Sequence, residues 1–501
     1  AYQAGADVRA TFRTDLGPPP LARTQGGLQG VRGSAEVLRA EANPGHSNIA
    51  AVLLGVNPAT FPEVAAGSPS LGGDNALAAD MRLLAADDPD GLALPGRPTS
   101  LSIWVWSSGL DTGLRALVTD GTGRPADVYL GDLGTAGWRK LSAALAWPAP
   151  GPAYPLRVRS LTVPQHTGGR DSGDIALSDL GAGDRVAEPF TANSGWWQQP
   201  PNGSQVTDLT PGPARPRDDG RPSLDLPVLT SSGPVVLRPS ISTRPLPVLV
   251  SGPTLDKLGV GTGEPFPVHV NSPGMTVVAR GRLDLFPTLY PGADDFMVAP
   301  LESTVARLAH DGGAPAPNEL WLRLEGSTAA VDEKLNADPA VQAVADRSRI
   351  QGLALADPQR QALALTLALG FGAALAIAVI AFGLHFLAAA RTRNSDYAVL
   401  QANGLSRGMM RRGLWVEQTV LLLHSLVSGI VLGLILAVAV LPALALGSSA
   451  FDLIPPTPVT VGWVATGVAL VAVVVVALAA GWLVRRAAAR IELVPELRRL
   501  A

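Results

Sequence analysis

Ten tryptophans, six histidines and 42 carboxylates are the groups with which this chain of 501 residues could do chemistry, and it contains no cysteine. Without a thiol there is no disulfide, no cysteine-bound zinc and no thiol nucleophile. His46, His166, His269 and His310 lie too far apart in sequence to show metal-ligand spacing. Asp171, Asp174 and Asp179 are hard oxygen donors of the kind Ca²⁺ takes, but as acids in turns they read as surface groups. No stretch has the form G-x-x-x-x-G-K-[ST], and Gly261–Gly263 reads as a turn. The chain therefore has no P-loop for ATP, and any such energy must come from a partner. No catalytic residue, metal ligand or bound cofactor is expected, and a net charge of −3 gives no field for nucleic acid.

Aromatic and embedded polar groups remain. Trp104 and Trp106 fall on one face of a strand, which favours core packing; Trp138 and Trp147 are the candidates for stacking on a sugar ring. His385 and Glu417 sit about a turn inside apolar runs, where an ionisable group is costly and usually paired. Two readings stand side by side. In one the pair makes a functional contact; in the other Glu417 reaches the headgroups and His385 packs neutral.

Three runs set those positions: 362–390, 414–446 and 461–484. Each exceeds the about 20 apolar residues that span a bilayer as a helix, so three transmembrane helices are predicted. The intervening loop 391–413 carries Arg391, Arg393, Arg407, Arg411 and Arg412 against Asp396, and the tail 485–501 is also arginine-rich. The other short loop has no Lys or Arg. The positive-inside rule puts loop 391–413 and the C-terminus in the cytoplasm and residues 1–361 outside, in a multi-pass protein of the cell membrane with lipid around it. Ser425, Ser428, Gly429 and Gly433 would allow close helix packing, including against a second permease copy or a paralogous half.

The segment after the first run reads R-T-R-N-S-D-Y-A-V-L-Q-A-N-G-L-S-R, followed by Glu417 and spaced glycines. This resembles the FtsX-like permease domain, whose pattern is close to R-x-x-E-x-A-x-L-x-A-L-G-x-S and then E. Asp396 stands where that pattern has Glu, and Asn403 where it has Leu. The resemblance covers about residues 361–490 and extends to the MacB and lipoprotein-release permeases of ABC transporters. It implies a cytoplasmic ATPase partner that binds ATP and Mg²⁺. It also implies a coupling loop made of Asp396, Ala398, Val399, Leu400, Gly404, Leu405, Ser406 and Arg407. The apolar face of Ala398, Val399 and Leu400 would dock on the ATPase. Gly404 would break that short helix and Ser406 would cap the next.

Ahead of the first run the expected organisation is a MacB-like α+β extracytoplasmic core domain in two halves, residues 1–95 and 240–350. A β-sandwich, jelly-roll-like and resembling carbohydrate-binding modules, is inserted at 96–239, and 351–361 forms a helical stalk. Short strands at about 8–12-residue spacing, such as S-L-S-I-W-V-W-S at 100–107, carry the sandwich reading. Helices are predicted at 33–42 and 329–346, the latter broken near Asp338-Pro339. The fold class is then a multidomain membrane protein, an α+β outer part followed by an α-helical membrane domain, with a fourth, N-terminal transmembrane helix expected upstream of residue 1. Two functions follow. The first is the permease subunit of an FtsX/MacB-type ABC transporter, passing ATP-driven motion to the outer domain, which acts on an envelope protein, glycan or exported substrate. The second is a membrane-anchored glycan-binding or sensor protein with no ATPase.

Overall fold

The structure is a computed structural model that describes residues 4–14, 28–45, 49–65, 73–85, 87–88, 90–147, 151–191, 194–199, 207–208, 219–289, 295–356, 358–392 and 423–436. It also describes positions 409, 412, 416, 420, 466, 467, 470, 471, 473–475 and 479. It divides into two compact units, Ala1–Gln351 and Gly352–Ala501.

In the first unit a nine-stranded sheet is built from both ends of the sequence. Its early strands are β1 (Val8–Phe12), β2 (Val31–Pro44) and β3 (Ala51–Val56), followed by helices α1 (Phe61–Val64) and α2 (Gly73–Ala85). Twelve strands intervene, β4 (Leu92–Ala93) to β15 (Val235–Arg238). The sheet then resumes with β16 (Leu246–Ser251), helix α3 (Gly252–Leu258), β17 (Pro265–His269), β18 (Gly274–Leu283) and β19 (Asp295–Pro300). Helix α4 (Leu301–His310), β20 (Glu319–Leu324), helix α5 (Ala329–Asn336) and β21 (Val341–Asp346) complete it. The strand order is β17-β18-β16-β19-β3-β2-β20-β1-β21. Two pairs are parallel, β16 with β18 and β19 with β3.

Because β17 also pairs with the end of β2, through Val268 and His269 against Pro44 and Asn43, the first six strands in that order close into a ring. Period-2 alternation explains how one strand serves two cores. Leu53 points into the cluster with Val248, Phe266, Val277 and Met297. Its neighbour Leu54 points to the other side, where Phe61, Leu77, Met81, Leu84 and Trp321 bury the faces of α1 and α2.

The predicted helix at 33–42 is corrected to the middle of β2. Its Ala, Glu and Leu residues suit a helix, but Val31–Val37 pair with β20 and Leu38–Ala42 with β3. Pairing with β20 along its first part and with β3 along its second overrides propensity. The predicted helix at 329–346 stops at Asn336; Val341–Asp346 is instead strand β21, paired with β1.

The intervening strands form two sheets. One has β5 (Ser100–Ser107), β8 (Gly137–Ala144), β10 (Ser172–Ala182), β11 (Arg185–Glu188) and β14 (Leu224–Leu229). The other has β4, β6 (Gly113–Thr119), β7 (Pro125–Asp132), β9 (Arg157–Val163), β12 (Trp197–Gln199), β13 (Thr207–Asp208) and β15. Their facing residues, among them Ile103, Val105, Leu114, Leu161, Leu177 and Trp196, share one buried core.

In the second unit, α6 (Arg347–Leu355) runs across the unit boundary and α7 (Pro358–Thr392) is 35 residues long. Leu365, Leu367, Leu369, Phe371, Ile377 and Ile380 of α7 are exposed. Here the expected fold class is corrected. Of the described residues 39% are strand and 29% helix, and among them no helix is long and apolar enough to cross a membrane. The expectation of an α-helical membrane domain of three spans rested on uninterrupted apolar length. In the second apolar run the described helix is 423–436. In the third run only scattered helical positions are described.

Candidate functional site

A group of buried ionic side chains lies where the two-sheet sandwich meets α4. Arg159 on β9 is almost wholly buried. Its guanidinium donates from Nε to Thr119 Oγ1 at 2.8 Å, from Nη1 to the Asp90 carbonyl at 2.7 Å and to Ser303 Oγ at 3.2 Å, and from Nη2 to Asp88 Oδ2 at 2.7 Å. Ser303 in turn donates to Asp88 Oδ1 at 2.5 Å. Arg307, one turn further along α4, grips both oxygens of Asp90 at 2.8 and 3.2 Å, and the Ser242 amide donates to Asp90 at 3.0 Å. Burial holds the Arg238 guanidinium below its ordinary range; Glu302 at 3.9 Å acts the other way, and Arg159 adds to the depression. Sequence reading missed this network. Its hydrogen-bonded pairs are separated by up to 217 positions, and no local spacing announces them.

A cavity of about 100 Å³ opens beside the network, lined by Asn57, Thr119, Asp120, Arg157 and Glu302 among others. Burial, with a smaller contribution from Arg159, lowers the Arg157 guanidinium. Glu36 on β2 is raised, first by burial and then by Glu302. A wider cleft of about 450 Å³ is lined by Ser242, His269, Arg307, His310 and Asp311. Among the described residues no group of three or more His, Asp or Glu is placed to hold a metal ion.

A second ionic cluster stands at the start of α6. Asp346 caps that helix, accepting from the Ser348 amide at 2.6 Å and from Thr328 Oγ1 at 2.6 Å. Burial works to raise Asp346, but the hydrogen bonds from Thr328 and Ser348 outweigh it and hold the carboxyl low. Asp332 on α5 faces it and is pushed up to about 6, by burial first and by Asp346 second.

Of the sequence-predicted residues, Trp138 is on β8, half-buried and directly opposite Trp106 on β5; Trp104 is opposite Lys140 on the same face. Trp104 and Trp106 alternate with the core residues Ile103 and Val105, so they lie on the side of the sheet away from the core. Trp147 packs against the sandwich core with its indole N–H buried. Asp179 has a positive φ of 42° and ion-pairs with Arg221. Asp396, Ala398, Val399, Leu400, Gly404, Leu405, Ser406, Arg407 and Glu417 lie outside the described residues, as does the side chain of His385 on α7.

That segment is where a comparison with known families is decisive. Residues 368–493 match the family model for the FtsX-like permease C-terminal domain. The chain carries an FtsX-like permease domain. The match supports the FtsX/MacB-type permease family and, with it, a membrane-associated permease of the ABC-transporter type. In that family the permease works with an ATPase partner. A comparison with curated proteins finds no match.

Proposed function

We propose that this FtsX-like chain is the transmembrane-transport subunit that converts the stroke of a separate cytoplasmic ATPase into motion of its large N-terminal unit, rather than an enzyme in its own right. One observation carries the reading: the family match brackets the whole basic segment 391–413 and Glu417. In the proposal Ala398, Val399 and Leu400 are the docking face, Asp396 and Arg407 its polar flanks, and Gly404, Leu405 and Ser406 the break into the following segment. His385 and Glu417 relay the movement. The arginine excess of 391–413 and of the tail favours the cytoplasmic side for both, and the MacB-like outer part, residues 1–361, would then work on the opposite side. ATP and Mg²⁺ belong to the partner, and a second permease copy or paralogous half completes the assembly.

The test is ATP hydrolysis by the reconstituted complex. Gly404→Pro should leave the N-terminal unit folded while hydrolysis no longer responds to its ligands; an unaltered response would refute the assignment. A second reading is favoured by the pairing of Trp106 with Trp138 beside Lys140 on the non-core side of the sandwich. There the N-terminal unit grips an envelope glycan by stacking. Loss of glycan retention by Trp138→Ala would support it, and unchanged retention would remove it.

A further inference from the structure

Helix α4 has two unlike faces. Leu301 and Val305 close over Leu38, and Leu308 enters the core of the strand ring. Glu302, Ser303 and His310 face strands of the sandwich instead, and Arg307 holds Asp90 of the connection after α2. Ser303 receives Arg159 of β9, Glu302 lies near Arg238 of β15, and His310 meets the Trp197 ring of β12 edge-on at 5.2 Å. The helix follows β19 without a break, and β19 is paired on both sides, with β16 and β3. One end of the junction is therefore anchored in the middle of the nine-stranded sheet.

The charged groups decide how the junction behaves. An apolar contact is non-directional and tolerates sliding, whereas a buried ion pair is favourable only in the geometry that keeps it paired and hydrogen-bonded. Here Arg159 spends its donors on four acceptors from three separate segments: Thr119 of β6, Asp88 and Asp90 of the connection after α2, and Ser303 of α4. Asp90 is held at the same time by Arg307 and the Ser242 amide. A small rotation of the sandwich on α4 would break several of these bonds together and leave paired charges bare in a buried place.

We infer that the Asp88–Asp90–Arg159–Ser303–Arg307 network is a weld that makes the sandwich and the strand ring one rigid body, so that the sandwich is a lever arm and not a tethered module. The inference holds whether or not an ATPase drives the chain. Under the permease reading it means that displacement delivered to the ring reaches the sandwich undamped.

The absence of cysteine makes the test direct. Lys140→Cys on β8 and Glu41→Cys on β2, both exposed, are spin-labelled in the full chain in detergent, and their separation is read by pulsed electron paramagnetic resonance. The native network should give one narrow distance population, and Arg159→Met with Arg307→Met should add a second or broaden the first. A broad distribution with the network intact would overturn the weld, as would an unchanged narrow one in the folded double variant. If the double variant does not fold, Arg159→Lys decides. It keeps the charge but loses the fork, so a broader population with strand circular dichroism retained supports the weld and an unchanged one overturns it.

Discussion

Glu319 and Trp321 share a face of β20, and the Trp321 indole N–H donates to Glu319 Oε2 at 2.8 Å. Glu319 is nearly inaccessible and also accepts from Arg39 Nε at 2.6 Å and Arg9 Nη1 at 3.4 Å. Trp321 in turn lies 5.0 Å from the Phe61 ring, with the Arg9 guanidinium 5.9 Å from its own ring. One carboxylate thus fixes β1, β2 and β20 against α1. Glu319→Ala, which removes an acceptor shared by two arginines and an indole, should lower stability by about 3–5 kcal/mol. Glu319→Gln keeps one acceptor and should cost about 1–3 kcal/mol. Urea unfolding followed by tryptophan fluorescence measures both.

The same tryptophan explains a glycine. Gly5 has φ +80°, and a Cβ placed there would lie 2.5 Å from Trp321 Cζ3 and 2.8 Å from the Thr288 methyl. Gly5→Ala combines a strained backbone, about 1–3 kcal/mol, with overpacking of similar size, about 1–3 kcal/mol. Its unfolding midpoint should fall well below that of a surface control such as Gly312→Ala, which shares the positive φ of +83° but meets nothing within 4 Å. Equal midpoints would remove the steric argument.

A pH effect follows from Asp332. Its carboxyl titrates at about 6 in the folded chain against an ordinary 3.8. Between those values the folded state holds a proton that the unfolded state releases, so stability falls as pH rises from about 4 to about 6 and then levels. Asp346, held below its ordinary value, acts in the opposite sense and only at lower pH. Asp332→Asn should therefore be more stable than the native chain at about pH 8 and lose the slope between about pH 4 and pH 6. Superimposable pH profiles would contradict the pairing. The half-exposed position argues for a modest effect, because solvent screens it.

Alternation carried much of the sequence reading. Ser100–Ser107 is a strand over the residues whose pattern announced it, and Asp127–Leu130 lies inside β7. Val31–Pro44 was not legible. Its Ala, Glu and Leu content favours a helix, and only the partners β3 and β20, one close in sequence and the other nearly 300 residues away, make it a strand. The closure of the ring through His269 and Asn43 is invisible for the same reason. Trp104 and Trp106 were rightly placed on one strand face, but which face is core depends on Ile103 and Val105 meeting a second sheet. The weld could not be read at all, because Arg159 and Arg307 are 148 positions apart and carry no motif. Apolar length foretold three spans, and the described helices do not supply them. The motif of segment 391–413 was legible without any structure, because its spacing is local.

The central claim is that this FtsX-like chain answers to an ATPase through segment 391–413. The most direct measurement is co-purification of the full chain from its native membranes in detergent, native and with Leu400→Asp. The captured subunit is identified by a P-loop in its sequence and assayed for ATP hydrolysis. The account predicts a hydrolysing P-loop subunit with the native chain and its loss with Leu400→Asp, while the N-terminal unit keeps its strand circular dichroism. Equal capture by both chains, or capture of no ATPase by either, would contradict it.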